Sequence, residues 1–152
     1  MVEALQEPFT LTQADAAITA TDGLHSTAYG TIYSYLVPVG IGHIILPGHT
    51  ISMYLYGDDA SEMPNTTLVR VLLQDASAQD RKAIMGPILY ASLRNFTDRD
   101  QMARFSVPEP VKVFERQYII VEMAGQDVAG TAGQTATGSY FEMHISRVRQ
   151  PL

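Results

Sequence analysis

The sequence contains no cysteine and no tryptophan. Without cysteine there is no disulfide framework, no thiolate zinc site and no cysteine nucleophile, and the redox compartment is left unread. Positive charge is also missing from the whole first part of the chain. Residues 1–69 hold Glu3, Glu7, Asp15, Asp22, Asp58, Asp59 and Glu62 with no Lys or Arg, while residues 70–152 hold ten cations against nine acids. Binding to nucleic acid draws on clustered Lys and Arg that release counterions. The cations here are dispersed and a basic arm is absent, so nucleic acid is not an expected partner. Long apolar runs are lacking too. The longest, Leu36 to Leu46, is interrupted by Pro38, Gly40, Gly42 and His43, well short of the ~18 residues of a membrane-spanning helix. Residues 1–8 (Met-Val-Glu-Ala-Leu-Gln-Glu-Pro) place acids where a signal peptide needs a basic start and an apolar stretch. A soluble chain without a cleaved leader is expected.

What is present is a moderately apolar chain of 152 residues, 46% hydrophobic and 17% charged. That length suits one domain with a real core, and the charged share lies below the roughly 25% of typical soluble domains. A surface so poor in charge suits a molecule that covers part of itself in an oligomer or a lattice.

The apolar period is two along most of the chain, which is the period of half-buried strands. Residues 1–28 are mixed, and read as an N-terminal arm or an extra strand, with Leu11 to Ala20 either a short helix or extended. Residues 29–152 read as one β domain. Ile32, Ser34 and Leu36 alternate with Thr31, Tyr33 and Tyr35. His43 to Leu46, Pro47-Gly48 and His49 to Tyr56 read as a hairpin, because proline pre-sets φ at the first turn position and glycine supplies positive φ at the next. That pairing sets His43 opposite Ser52. Thr66 to Gln74 is nearly continuous in apolar character and reads as a central strand. Asp75 to Lys82 reads as a turn with some helical character, and Ala76 to Met85 is the nearest approach to an amphipathic helix. Further strands are expected at Pro87 to Leu93 (after a break at Gly86-Pro87), Gln101 to Val107, Val111 to Phe114, Tyr118 to Met123 and Ser139 to Val148. In the last of these Phe141, Met143 and Ile145 share a face. The small-residue run 129–138 reads as a loop. About eight short strands with turn chemistry between them point to an all-β chain folded as an antiparallel β-sandwich.

Catalytic motifs are not found. There is no Gly-x-Ser-x-Gly elbow, no His-Glu-x-x-His or His-x-His pair among His25, His43, His49 and His144, and no phosphate-binding glycine loop. Glu142 and His144 share a strand face and amount to half a metal site. Asp58, Asp59 and Glu62, and Asp98 with Asp100, are oxygen donors in loops that calcium could use, outside any twelve-residue EF-hand pattern. No cofactor is expected and no catalytic or metal residue is assigned. The eight tyrosines are the more suggestive feature. Tyr33, Tyr35, Tyr54 and Tyr56 are spaced by two on strands, as a half-buried sheet face, a subunit interface or a ligand-stacking surface would have them.

Taken together, the extended arm, the eight-strand count, the Pro47-Gly48 turn, the Thr/Tyr-rich strand faces and the Gly/Ala/Thr loop before a long last strand resemble the single jelly-roll structural proteins of viruses and phages, of minor capsid or decoration (cement) type, with the departure that many capsid proteins touching the genome carry a basic arm and this one is acidic. The likeness runs from Tyr29 to Arg149. It implies a jelly-roll sandwich and a non-enzymatic role in the virion, with partners that are other copies of the chain, as a homo-oligomer, and a major capsid or shell protein. Membrane contact stays open. A different class of reading, a β-sandwich module that binds carbohydrate or a receptor with or without calcium, is the alternative.

Overall fold

The computed structural model describes residues 6–14, 18–19, 28–48, 51–54, 66–77, 80–93, 107–125, 135–136 and 140–149. These form eleven strands and a single four-residue helix. In chain order they are β1 (Gln6–Ala14), β2 (Ile18–Thr19), β3 (Gly30–Leu36), β4 (Ile41–Ile45), β5 (Ile51–Tyr54), β6 (Leu68–Gln74), β7 (Arg81–Leu89), α1 (Tyr90–Leu93), β8 (Val111–Val113), β9 (Tyr118–Ala124), β10 (Thr135–Ala136) and β11 (Tyr140–Arg149).

Two antiparallel sheets carry the fold. The first runs β1-β11-β4-β8 with β5 also on β11, and the second runs β3-β9-β6-β7; β2 and β10 pair separately. With β4 and β5 taken as one interrupted strand there are eight long positions. Their pairings are first with last (β1·β11), second with seventh (β3·β9), third with sixth (β4·β8) and fourth with fifth (β6·β7). That is a long hairpin folded at β6–β7 and rolled up, the wiring of a jelly roll. The expected all-β antiparallel sandwich is what the chain forms.

Alternation in the strands builds the core between the sheets. Leu11, Ile45, Val113, Met143 and Ile145 come from one sheet; Ile32, Val69, Val71, Met85, Ile119, Val121 and Met123 come from the other. The second sheet is buried on its outer side as well, where Leu72, Gln74, Ile120, Glu122 and Ala124 all lie below a tenth exposed. This explains why β6 and β9, its two central strands, read as continuous apolar runs rather than alternating ones.

Two expectations are corrected. Pro47-Gly48 is not the turn of a hairpin. Gly48 does take positive φ, 93°, but β4 and β5 both run antiparallel to β11, on Ser146–Arg149 and Tyr140–Met143 respectively. The chain therefore bulges and continues in the same direction. Six residues, 45–50, separate the two pairings on this side, against two, 144 and 145, on β11. His43 faces Arg147 and Val113, and Ser52 faces Glu142. Second, residues 81–85 are strand, not helix: β7 starts at Arg81, runs through Gly86-Pro87 and ends at Leu89, where α1 begins. Proline is tolerated there because β7 is an edge strand with one side unpaired in its sheet. The first segment, left open between arm and extra strand, is a strand over 6–14, where β1 pairs along β11 from Gln6↔Val148 to Ala14↔Tyr140. Most of the strand expected at Gln101 to Val107 and most of the loop at 129–138 lie outside the described residues.

Candidate functional site

Polar side chains gather in three places on this sandwich. The first is inside it. Phe9 of β1, His43 of β4 and Tyr35 of β3 meet between the sheets, with ring centroids 5.0 Å (Phe9–His43), 5.5 Å (Tyr35–His43) and 6.1 Å (Phe9–Tyr35) apart. His43 is 1% exposed. Its Nε2 lies 3.2 Å from the Tyr35 hydroxyl, and its Nδ1 is buried without a hydrogen-bond partner. Burial holds this imidazole below the usual histidine range; the Ser146 backbone opposes the shift and the Arg147 guanidinium adds to it. Burial likewise pushes the Tyr33 and Tyr35 hydroxyls up, with the neighbouring Tyr35 adding to the shift at Tyr33 and Arg147 countering it at Tyr35. Arg147 lies over the Phe9 ring at 5.1 Å and, with Arg149, binds Glu7 at 3.1 and 2.9 Å. The Arg147 hydrogen bond is the largest influence holding the Glu7 carboxyl below the ordinary range.

The second lies in the outer layer of the β3-β9-β6-β7 sheet. Glu122 of β9 is 3% exposed and faces Arg70 of β6 directly across the ladder. It accepts from Arg70 Nε and Nη2 at 2.9 and 2.6 Å and from Arg81 Nη1 at 2.8 Å. Arg81 also donates to Gln74 Oε1 at 2.7 Å, and the Arg70 guanidinium stacks on Tyr29 at 3.7 Å. Sequence reasoning passed over this network, although its signal was there. Each of β6 and β9 carries one lone charge inside an apolar run (Leu-Val-Arg-Val-Leu-Leu and Tyr-Ile-Ile-Val-Glu-Met), and the two are of opposite sign.

The third is on the outer face of the first sheet. Glu142 and His144 are in contact as their spacing predicts, Oε1 to Nε2 at 2.6 Å, and Thr10 Oγ1 lies 3.4 Å from His144 Nδ1. The His and Glu side chains are 44% and 39% exposed. Among the described residues no group of three or more His, Asp or Glu side chains is placed to hold a metal ion.

Of the four tyrosines singled out by sequence, Tyr33 and Tyr35 pack half-buried against the core. The register of β3 on β9 shifts between Thr31 and Tyr33, so Ile32, Tyr33 and Tyr35 all reach the inner side, while Ser34 and Leu36 are exposed. Tyr54 pairs through its backbone with Tyr140. Tyr56, His25, His49, Asp58, Asp59, Glu62, Asp98 and Asp100 lie outside the described residues.

One end of the sandwich carries a feature that no strand pattern announced. The turn 37–40 between β3 and β4 and the turn 114–117 between β8 and β9 bond to each other: Val37 N–H to Gln117 O at 2.9 Å, Arg116 N–H to Val37 O at 2.8 Å, and Gly40 N–H to Glu115 Oε2 at 2.7 Å. They expose Leu36 (47%), Val39 (66%) and Phe114 (55%), three of the four large hydrophobic side chains left out among the described residues. Of these three, Phe114 borders a groove of about 240 Å³ on the first sheet, lined also by Gly42, Ile44, Val148 and Lys112. The available signal was local: Pro-Val-Gly and Phe-Glu-Arg are turn sequences that keep a large apolar residue where polar ones are usual.

No protein-family model and no curated relative matches the sequence. Solved structures do match. VP17, a capsid protein of bacteriophage P23-77, is similar with a TM-score of 0.62 at 7% identity over 99% of both chains. The complex of the two major capsid proteins of that phage, VP16 and VP17, is similar with a TM-score of 0.60 at 6% identity, over 95% of this chain and 99% of that one. At such identities the likeness is one of fold, and it spans the chain from end to end. The resemblance to jelly-roll phage capsid proteins seen in the sequence is thus present in the structure.

Proposed function

We propose that the protein is a non-enzymatic structural subunit of a virus or phage particle, built into or onto the shell through contacts with other proteins. The observation that carries this reading is the similarity of fold to a phage capsid protein over 99% of both chains. The internal polar groups support the same reading: Glu122 is held by two arginines, and His43 is sealed between sheets. Both serve packing. The neighbour that pairs two capsid proteins in one complex supports a second shell protein as partner, alongside copies of this chain. The location that follows is the virion, with nucleic acid left to other components.

Protein mass spectrometry of particles banded on a density gradient tests the reading. The expected result is this chain in every infectious fraction, in a fixed ratio to the major shell protein and at many copies per particle. Its absence from washed particles, or presence at only a trace ratio, overturns the reading.

A further inference from the structure

The His43 imidazole is sealed where a positive charge has no counter-ion, and the strand that closes over it is lightly tied. His43 is 1% exposed, its Nδ1 has no hydrogen-bond partner and its Nε2 lies 3.2 Å from the Tyr35 hydroxyl. The described groups that face it come from four elements. β11 sets Arg147 opposite it and β8 sets Val113 on the other side, while Lys112 of β8 lies on the outer face beside Ile44. β3 supplies Tyr35, with Tyr33 also turned inward. β1 supplies the Phe9 ring at 5.0 Å, and Glu7, which reaches the site through Arg147. Arg147 is the charged group that acts on the imidazole. A proton on His43 would therefore be repelled as well as desolvated.

Topology selects the wall that gives way. β4, which carries His43, lies inside its sheet between β11 and β8. β3 is an edge strand, but the turn after Tyr35 is fastened by Val37 N–H to Gln117 O and Arg116 N–H to Val37 O. β1 is an edge strand bonded to β11 alone, so it leaves with one ladder broken. We propose that β1 is a strap released by acid: a proton on His43 drives Phe9 off the imidazole and lifts the Gln6–Ala14 strand from β11, while the rest of the sandwich stays folded. Burial holds the closed-form imidazole below its ordinary 6.5; with β1 lifted the ring meets water and returns to about that value. The lifted form thus binds a proton that the closed form refuses. Its population grows as pH falls below about 6.5, by up to about tenfold per pH unit until the closed-form value is reached. The other groups do not act in this window. Arg147 holds the Glu7 carboxyl below its ordinary 4.5, so that ion pair survives at pH 5.5. The Tyr33 and Tyr35 hydroxyls, pushed above 10, stay neutral. His144 lies on the outer face, exposed beside Glu142, where a charge meets water and a carboxylate. Lifting β1 bares Leu11, 2% exposed when closed, and the β11 edge from Tyr140 to Val148, an unpaired row to which another strand can add. The device belongs to the fold and does not rest on the structural-subunit reading.

Hydrogen–deuterium exchange of the intact protein, read by mass spectrometry at about pH 7.5 and 5.5 and corrected for intrinsic exchange rates, follows the release segment by segment. Peptides within 6–14 are expected to lose protection on acidification by up to about tenfold, while peptides from β6 and β9 keep theirs. In His43→Phe and His43→Gln, whose side chains stay neutral at both pH values, the acid loss in 6–14 is expected to vanish. In His144→Gln it is expected to persist. A readout on the wild type alone covers the case in which the His43 variants do not fold. Imidazole nitrogen shifts in a long-range proton–nitrogen NMR spectrum are expected to show His43 of the closed form neutral at pH 5.5. A cationic His43 with 6–14 still protected overturns the proposal. So does an acid loss shared equally by β6 and β9, no loss in 6–14, or a loss there that survives in folded His43 variants.

Discussion

Glu122 and Glu7 each hold two arginines, yet the surroundings give the two carboxylates different weight. Glu122 is buried in an apolar layer, and its removal leaves Arg70 and Arg81 without a counter-charge in a drier setting. Because both guanidinium groups keep some access to water, Glu122→Ala is expected to cost about 3 kcal/mol, the lower end of the range for breaking a buried pair, read from urea unfolding. Glu7→Ala removes an ion pair at the solvent-washed rim, and its unfolding midpoint is expected to barely move. His43 gives a pH signature. Its folded-state pKa is depressed from the ordinary value of 6.5, so below about pH 6.5 the unfolded chain binds a proton that the folded one refuses. Stability is therefore highest above that pH and falls as pH drops from 6.5 toward the folded-state value. His43→Phe, which keeps a ring against Phe9 and Tyr35, is expected to flatten the stability profile between pH 7 and 5. An unchanged slope in that variant would show that other groups set it.

At the scale of elements, two glycines with the same backbone hand play unequal parts. Gly86 in β7 has φ 85°, and a Cβ there would meet Val69 O at 2.6 Å and Arg70 Cα at 3.1 Å; Gly40 in the β3–β4 turn has φ 81° with nothing within 4 Å. Gly40→Ala should cost about 1 kcal/mol for the left-handed backbone alone. Gly86→Ala adds a clash with the neighbouring strand and should cost at least about 2 kcal/mol, which calorimetric midpoints would separate. The β4–β5 stretch shows what local chemistry cannot tell. Pro47-Gly48 has the residues of a type II turn, and Gly48 does adopt the left-handed backbone. Whether such a turn reverses a strand or makes it bulge depends on the strand alongside. Here β11 offers ten residues of continuous edge, enough to receive both halves. β11, by contrast, was legible by its period because every second side chain meets the same core, and β6 and β9 were legible as apolar runs because both their faces are buried.

Across the whole molecule, the four sheet edges are poor templates for another strand. β1 carries Pro8, β3 and β7 have register shifts against their neighbours, and β8 is three residues long behind Pro108 and Pro110. Such devices suppress strand-to-strand aggregation, and they leave ends and faces as the means of assembly. Pro8→Val should restore a continuous donor row on the nine-residue β1, and faster growth of turbidity on mild heating is the expected result. Composition and period alone determined that this chain is all-β, acidic and without thiol chemistry. Those properties depend on residue type and on neighbours two apart. Tertiary structure decided the rest: that β4 and β5 continue in one direction, that Tyr33 and Tyr35 turn inward, that Glu122 finds two arginines, and that Leu36, Val39 and Phe114 are left exposed. Each of these depends on which distant strand lies alongside, and the pairing of first with last and second with seventh is settled only when both sheets bury a common core.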